Sequence, residues 1–278
     1  MTPHFPALPD DLPPGRLVLA DESDWAPPGL HGTALLWVSD APVRDAGEVW
    51  ARLRGAHAQT GLVPLLLEHD DDHPDAWVGR WSFPEPAEVL DAVDPETALR
   101  SLWDDLQDDA GSDAGSDADE VPGAGEPSGP WPGLARPGQA GEDPEALADA
   151  FARHLQDDVD PYGRPRPWRL GLVPAPDGAG ALTLAGWDGP CNHTNDTELV
   201  SAVLRSWADR FGARVVGVGT DMLLVSVARP PQDLEHARAL AVEHFAVCPD
   251  NVWQGSHDTF DEYAHALVGT HAWSFWWD

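Results

Sequence analysis

The chain closes on Trp273-Ser274-Phe275-Trp276-Trp277-Asp278, four aromatic side chains in six residues. Each large aromatic carries roughly 150–250 Å² of surface to bury, so this end is expected inside the fold and not as a solvated tail. In an extended strand, side chains alternate between faces. Trp273, Phe275 and Trp277 therefore share one face, which packs on a core, and Trp276 takes the other.

The stretch leading to that strand is well patterned. Residues 145–156 place Leu147, Ala148, Phe151 and Leu155 on one helical face, and Arg169 to Val173 reads as a strand. Residues 181–186 fit either a strand or a helical turn. A long helix follows to about Phe211, capped by Asn195 or Thr194, with Leu199, Val200, Val203, Leu204, Trp207 and Phe211 inward. Gly212 stops it. Arg214–Val218 and Met222–Val227 form a hairpin about Gly219-Thr220-Asp221. Pro230-Pro231 starts a further helix, and a short one near 258–267 precedes the last strand. The order β-α-β-β-α-β with one inserted helix predicts an α+β fold, a ferredoxin-like sandwich over residues 144–278.

Residues 1–103 read as a smaller α/β region. Arg16–Ala20, Thr33–Val38 and Leu62–Leu67 are short apolar runs between turn residues, hence strands. A helix over 45–59 separates the last two in a βαβ unit, with Pro64 near the start of its strand, where a missing donor is tolerated. A further helix at 86–106 is broken or restarted by Pro95. Between these regions, residues 104–143 carry 11 acids against one Arg, with a near-repeat of Gly-Ser-Asp-Ala around Gly111–Asp117. The segment has no apolar period to repay its ordering entropy, which predicts a disordered, self-repelling linker.

Charge narrows the partners. Net charge is −32, and all 16 basic residues are Arg. With so much Ala, Gly, Pro and Asp, this is also the composition of a GC-rich genome. Such charge repels phosphate backbones and anionic lipid, so neither nucleic acid nor membrane is expected as a partner, whereas a basic protein is steered inward. No apolar run nears the roughly 20 residues of a membrane span. The N-terminus lacks the basic and apolar regions of a signal peptide, and two cysteines make no disulfide framework. A cytoplasmic protein with reduced thiols is expected.

Three constellations offer chemistry. Cys191, His193, Cys248 and His257 are zinc-ligand types, but C-x-H and C-x8-H lie far apart and lack the tight pairs of structural zinc sites. His69-Asp70-Asp71-Asp72-His73 lacks the alternating spacing of a calcium loop and reads as an acidic turn. No metal or cofactor is expected. The third is polar and sits in two loops. Asn192, His193, Asn195 and Asp196 precede the long helix, while Asp250, Asn251, Trp253 and Gln254 follow the next one. These side chains either cap helices or form one site in which His193 is an acid/base and the amides orient a substrate. Trp276, on the outer face of its strand, is a further recognition candidate.

Many residues in order carry a resemblance. They include Gly189-Pro190, Asn192-His193-Thr194-Asn195-Asp196, Leu204-Arg205-Ser206-Trp207, Arg210-Phe211-Gly212, Glu243-His244-Phe245, Cys248-Pro249-Asp250-Asn251, Trp253-Gln254-Gly255 and the closing aromatic run. Through them, residues of about 169–278 resemble the domain of unknown function 4253 family, a bacterial group. The resemblance implies no catalytic residue or ligand. Two readings follow. One is a non-catalytic acidic protein-binding module, immunity- or antitoxin-like, that takes a basic protein. The other is an enzyme of unassigned chemistry using the 189–197 and 248–255 loops.

Overall fold

The computed structural model describes residues 5–20, 26–69, 81–113, 127–157 and 166–278. The apolar runs become β1 (Gly15–Leu19), β2 (Ala34–Ser39), β3 (Leu62–Glu68), β4 (Trp168–Pro174), β5 (Ala213–Val218), β6 (Met222–Val227) and β7 (Ala272–Trp276). They form one mixed sheet in the order β1-β2-β4-β3-β5-β6-β7. All pairings are antiparallel except that of β3 with β5.

The described residues form nine helices: α1 (Ala46–Gly55), α2 (His57–Thr60), α3 (Pro95–Asp113), α4 (Pro144–Gln156), α5 (Gly178–Ala185), α6 (Thr197–Phe211), α7 (Leu234–Val247), α8 (Asp250–Trp253) and α9 (Phe260–Leu267). Period-two alternation divides the core between the two faces of the sheet. Leu62 and Leu66 of β3 and Leu170 and Leu172 of β4 pack with Trp50 and Leu53 of α1 and Leu155 of α4. Val63, Leu65 and Leu67 point the other way, into a larger core with Leu99 of α3, Trp207 of α6 and Leu240 of α7.

The α+β class holds, with the β-α-β-β-α-β order in its second half. The ferredoxin-like sandwich is not what forms. It would need β4 to β7 to make a sheet by themselves, but β3 lies between β4 and β5 and pairs with both. Strands from both sides of the 104–143 segment thus share one hydrogen-bonded sheet. The βαβ reading of the first half also needs its third member: β2 and β3 are separated by β4, which is antiparallel to each.

Local signals fare well. Pro95 opens α3 after a single 3-10 turn at Ala87–Val89, with Asp94 accepting from the Thr97 amide at 2.9 Å. Gly212 ends α6 with φ of 64°, the left-handed conformation glycine takes without strain. Trp273, Phe275 and Trp277 are all buried on one face. α7 begins at Leu234, capped by Asp233, so Pro230-Pro231 precede it.

The segment expected to be disordered is described in two parts. Residues 104–113 continue α3, and 127–143 run as an extended strap, while 114–126 lie outside the described residues. Trp131 sits 6.0 Å from the ring of Trp103, whose Nε1 donates to the carbonyl of Gly129 at 2.8 Å. Further on, the strap is held by one ionic centre. Glu243 of α7 is fully buried and takes both Nη1 and Nη2 of Arg210 at 2.8 and 2.6 Å, Trp207 Nε1 at 2.7 Å and the Ala135 amide at 2.6 Å. Arg210 also donates to the Ala135 carbonyl, and its own carbonyl takes the Gly138 amide. Gly138 lies so close to the segment after β6 that a Cβ there would fall 2.0 Å from the Arg229 carbonyl. Polar contacts with distant residues therefore order a stretch that has no apolar period.

Removing one partner of a buried, hydrogen-bonded ion pair leaves the other uncompensated, at a cost of about 3–5 kcal/mol. Glu243→Ala is expected to lower unfolding free energy by about that much in urea denaturation. It should also raise hydrogen exchange at Ala135, and full protection of that amide in the variant would refute the role given to Glu243.

Candidate functional site

The 189–197 loop is shaped from beneath. Trp187 is buried, donates from Nε1 to the Gly219 carbonyl at 3.0 Å and meets Trp277 edge-on at 5.7 Å. A Cβ at Gly189 would lie 2.0 Å from that indole, so only glycine lets the chain fold over it. The chain then turns, with the amides of His193 and Thr194 both bonding the Pro190 carbonyl. His193 Nε2 lies 2.9 Å from the carbonyl of Ala246 and ties the loop to the end of α7. Asn192, Asn195 and Asp196 are exposed. The expected capping is not observed: α6 starts at Thr197, and Thr194 Oγ1 accepts from Asp196 and not from the helix.

In the 248–255 loop, the polar side chains brace the end of β7. Asp250 accepts from Gln254 Nε2 at 3.1 Å and from the Asp278 amide at 3.1 Å. Asn251 Nδ2 donates to Ser274 O at 2.8 Å and to Tyr263 Oη at 3.2 Å, while its Oδ1 accepts from the Trp276 amide. Trp276 Nε1 donates to Asp221, and Trp253 stands 49% exposed with its ring edge-on to Phe245. Of the polar residues singled out in the two loops, only Asn251 lines the cavity of about 310 Å³ beside Tyr263, His257 and Trp273. His193 reaches the end of α7 just before the 248–255 loop, but no residue of 189–197 joins Asn251 in lining that cavity.

The candidate metal ligands are separately engaged. Cys248 is buried with its thiol 3.0 Å from the Trp276 carbonyl, and burial pushes its pKa up to about 12. Cys191 is exposed, and His257 packs against the ring of Tyr263. Among the described residues, no group of three or more His, Cys, Asp or Glu could hold a metal ion. His69 Nδ1 accepts from Arg169 Nε at 3.0 Å, while Asp70 to His73 lie outside the described residues.

Sequence reasoning missed two features here. The first is a group of carboxylates around Asp196. Glu85 and Glu198 are half-buried. Burial and then the charges of Glu198 and Asp196 hold Glu85 above the usual carboxylate range, and burial and Asp196 do the same for Glu198. Glu85 comes from the segment before α3, more than 100 residues from the others, so no spacing announced it.

The second is His244, which is wholly buried between Trp207, Trp273 and Phe275 at ring distances of 4.9, 4.6 and 4.9 Å. Its Nδ1 meets Tyr263 Oη at 2.9 Å, and Nε2 has no hydrogen-bond partner among the described residues. Burial, reinforced by the charge of Arg210, lowers its pKa from 6.5 to about 3.

The family described as "Domain of unknown function (DUF4253)" matches residues 169–278, so this stretch is a DUF4253 domain, in agreement with the resemblance. No curated protein and no solved structure matches the chain.

Two outcomes follow from this geometry. Asn251→Ala removes a polar strut with several partners and is expected to destabilise by about 1–3 kcal/mol. Faster exchange of the Trp276 amide should accompany it, since that proton loses its acceptor. For His244, the unfolded chain takes up its proton near pH 6.5 and the folded chain near pH 3. The stability owed to its neutral form is thus fully present above pH 6.5 and is lost as pH falls toward 3. His236, also held down by burial, acts in the same sense. His244→Phe should remove about one proton from the slope of stability against pH in that window, and an unchanged slope would show the assignment to be wrong.

Proposed function

We propose that this protein is a non-catalytic binding module whose partner is a basic protein, docked on the face that carries Glu85, Asp196 and Glu198. The observation behind the reading is the charge of that face. Several arginines elsewhere are matched to carboxylates: Arg54 to Asp149 and Glu145, Arg136 to Asp233, Arg153 to Glu48, Arg238 to Asp261. Among the described residues, no cation pairs with Glu85, Asp196 or Glu198. Repulsion within this group is relieved by an incoming Arg or Lys, and the −32 field of the whole chain accelerates its arrival. Asn192 and Asn195, exposed beside Asp196, offer neutral hydrogen bonds at the rim.

The location adds to the reading. Loop 189–197 sits on the buried Trp187–Trp277 pair, which gives it a rigid base and lowers the ordering cost of binding. The half-exposed Trp253 and the outward Trp276 are further contact candidates, since indole is enriched at binding hot spots. The enzyme alternative draws no comparable support, because His193, Asp250, Asn251 and Gln254 are engaged as struts and the cavity beside Asn251 takes no residue of 189–197.

The test is affinity capture from native lysate with the full chain and with Glu85→Gln/Asp196→Asn/Glu198→Gln. A basic protein held near stoichiometrically by the first, released by the second, and binding more slowly as salt rises is the expected result. Retention unaffected by the triple substitution, or association indifferent to ionic strength, would sink the proposal.

A further inference from the structure

A cleft inside the sheet lies apart from that acidic face. β3 and β5, the one parallel pair of the described sheet, are bonded only at Leu66↔Gly217 and Leu67↔Val218. Toward their other ends the strands part, and a cavity of about 530 Å³ opens between Val63–Pro64 and Ala213–Val215. Pro64 suits the parting. It has no amide to offer β5, and its carbonyl is taken by Trp50 Nε1 at 2.8 Å. The C-terminal half of α6 forms the far wall. The volume lies within the roughly 300–1,000 Å³ usual for small-molecule sites.

The lining combines apolar walls with arginine. Arg54, Arg205 and Arg214 all border the cavity of a chain that is otherwise strongly acidic. Two of them are matched: Arg54 bonds Asp149 and Glu145, and Arg214 Nε bonds Glu145 at 2.6 Å. Arg205 pairs with no carboxylate among the described residues. Its Nη2 donates to the Leu90 carbonyl, and its Nη1 is buried without a hydrogen-bond partner. The other two acids that border the cavity are placed otherwise. Asp177 caps α5 through the Gly180 amide at 2.7 Å, and Asp209 is exposed at the rim. A buried guanidinium N–H without an acceptor among the described residues, on a side chain that borders the cavity, is a place for a ligand's acceptor.

We infer that this cavity binds a small organic anion, a single carboxylate on an apolar body. The carboxylate sits on Arg205, and the body packs against Val63, Pro64, Leu204 and Val215. A monoanion is favoured over a polyphosphate because the field of the acidic chain opposes each added negative charge.

Titration calorimetry of the full chain with octanoate, against octan-1-ol as the neutral ligand of equal length, tests this. Saturable octanoate binding that the alcohol does not match is expected, weaker by about tenfold in Arg205→Met, where one charge-assisted contact is lost. Ala208→Leu fills the α6 wall without touching a charge. It should abolish binding while the protein still melts cooperatively, so the inference stands or falls even if Arg205→Met does not fold. Absence of saturable octanoate binding to the unmodified chain, equal binding of the alcohol, or binding unchanged in Ala208→Leu would overturn it. Binding lost in Ala208→Leu but undiminished in a folded Arg205→Met would reject the anion.

Discussion

A carboxylate with no exposure to solvent, Glu243, holds three parts of this protein together. It is tolerated because each oxygen accepts from two donors: Arg210 Nη1 and the Ala135 amide on one, Arg210 Nη2 and Trp207 Nε1 on the other. The desolvation cost of an isolated buried charge is far larger than any single hydrogen bond returns. The arrangement is therefore close to all-or-none. Losing the strap exposes the pair, and losing either charge removes the strap's hold at Ala135. Through this centre α6 and α7 are fixed relative to each other, and Phe275 of β7 is laid against Trp207 and His244.

That coupling explains which parts of the fold were legible in the sequence. Helices and strands with strong local periodicity are found close to where the pattern puts them, as with α6 ending before Gly212 and β7 burying alternate aromatics. Those signals act within one turn or one strand. The insertion of β3 between β4 and β5 depends instead on pairings across more than 100 residues, as at Leu66 with Leu170 and then Gly217. The β-α-β-β-α-β order of the second half was read correctly, but order along the chain does not fix order in a sheet. The strap was misread for a related reason. Low apolar content signals missing hydrophobic burial, but Ala135 is ordered by a carboxylate and a guanidinium, and Gly138 by the Arg210 carbonyl, partners that composition cannot locate.

The candidate loops show the same division. Asn192, Asn195 and Asp196 were picked out as polar groups near a helix start, and they are indeed at the surface. Asp250, Asn251 and Gln254 were picked out on equal grounds and serve as internal braces of β7. A sequence lists donors and acceptors but not their partners, and Asn251 is engaged by Ser274, Tyr263 and Trp276 only because β7 returns beside α8. Pro64 carried a signal that could have been pressed further. Proline inside a central strand requires that its neighbour be absent on that side. Read strictly, it announces the parting of β3 from β5.

The two charged features of the molecule are tied to different seams. The acidic group of Glu85, Asp196 and Glu198 gathers where α6 begins, beside a loop supported by Trp187 and Trp277, and there carboxylates accumulate without an arginine partner among the described residues. The cavity gathers where α6 ends, at the one parallel junction of the described sheet, and there arginine accumulates. Helix α6 runs between them, with Glu198 in its first turn and Arg205 two turns further on. Its exposed and buried faces are settled by the same Trp207–Glu243 contact. A helix held so firmly along its inner side transmits little motion from one end to the other.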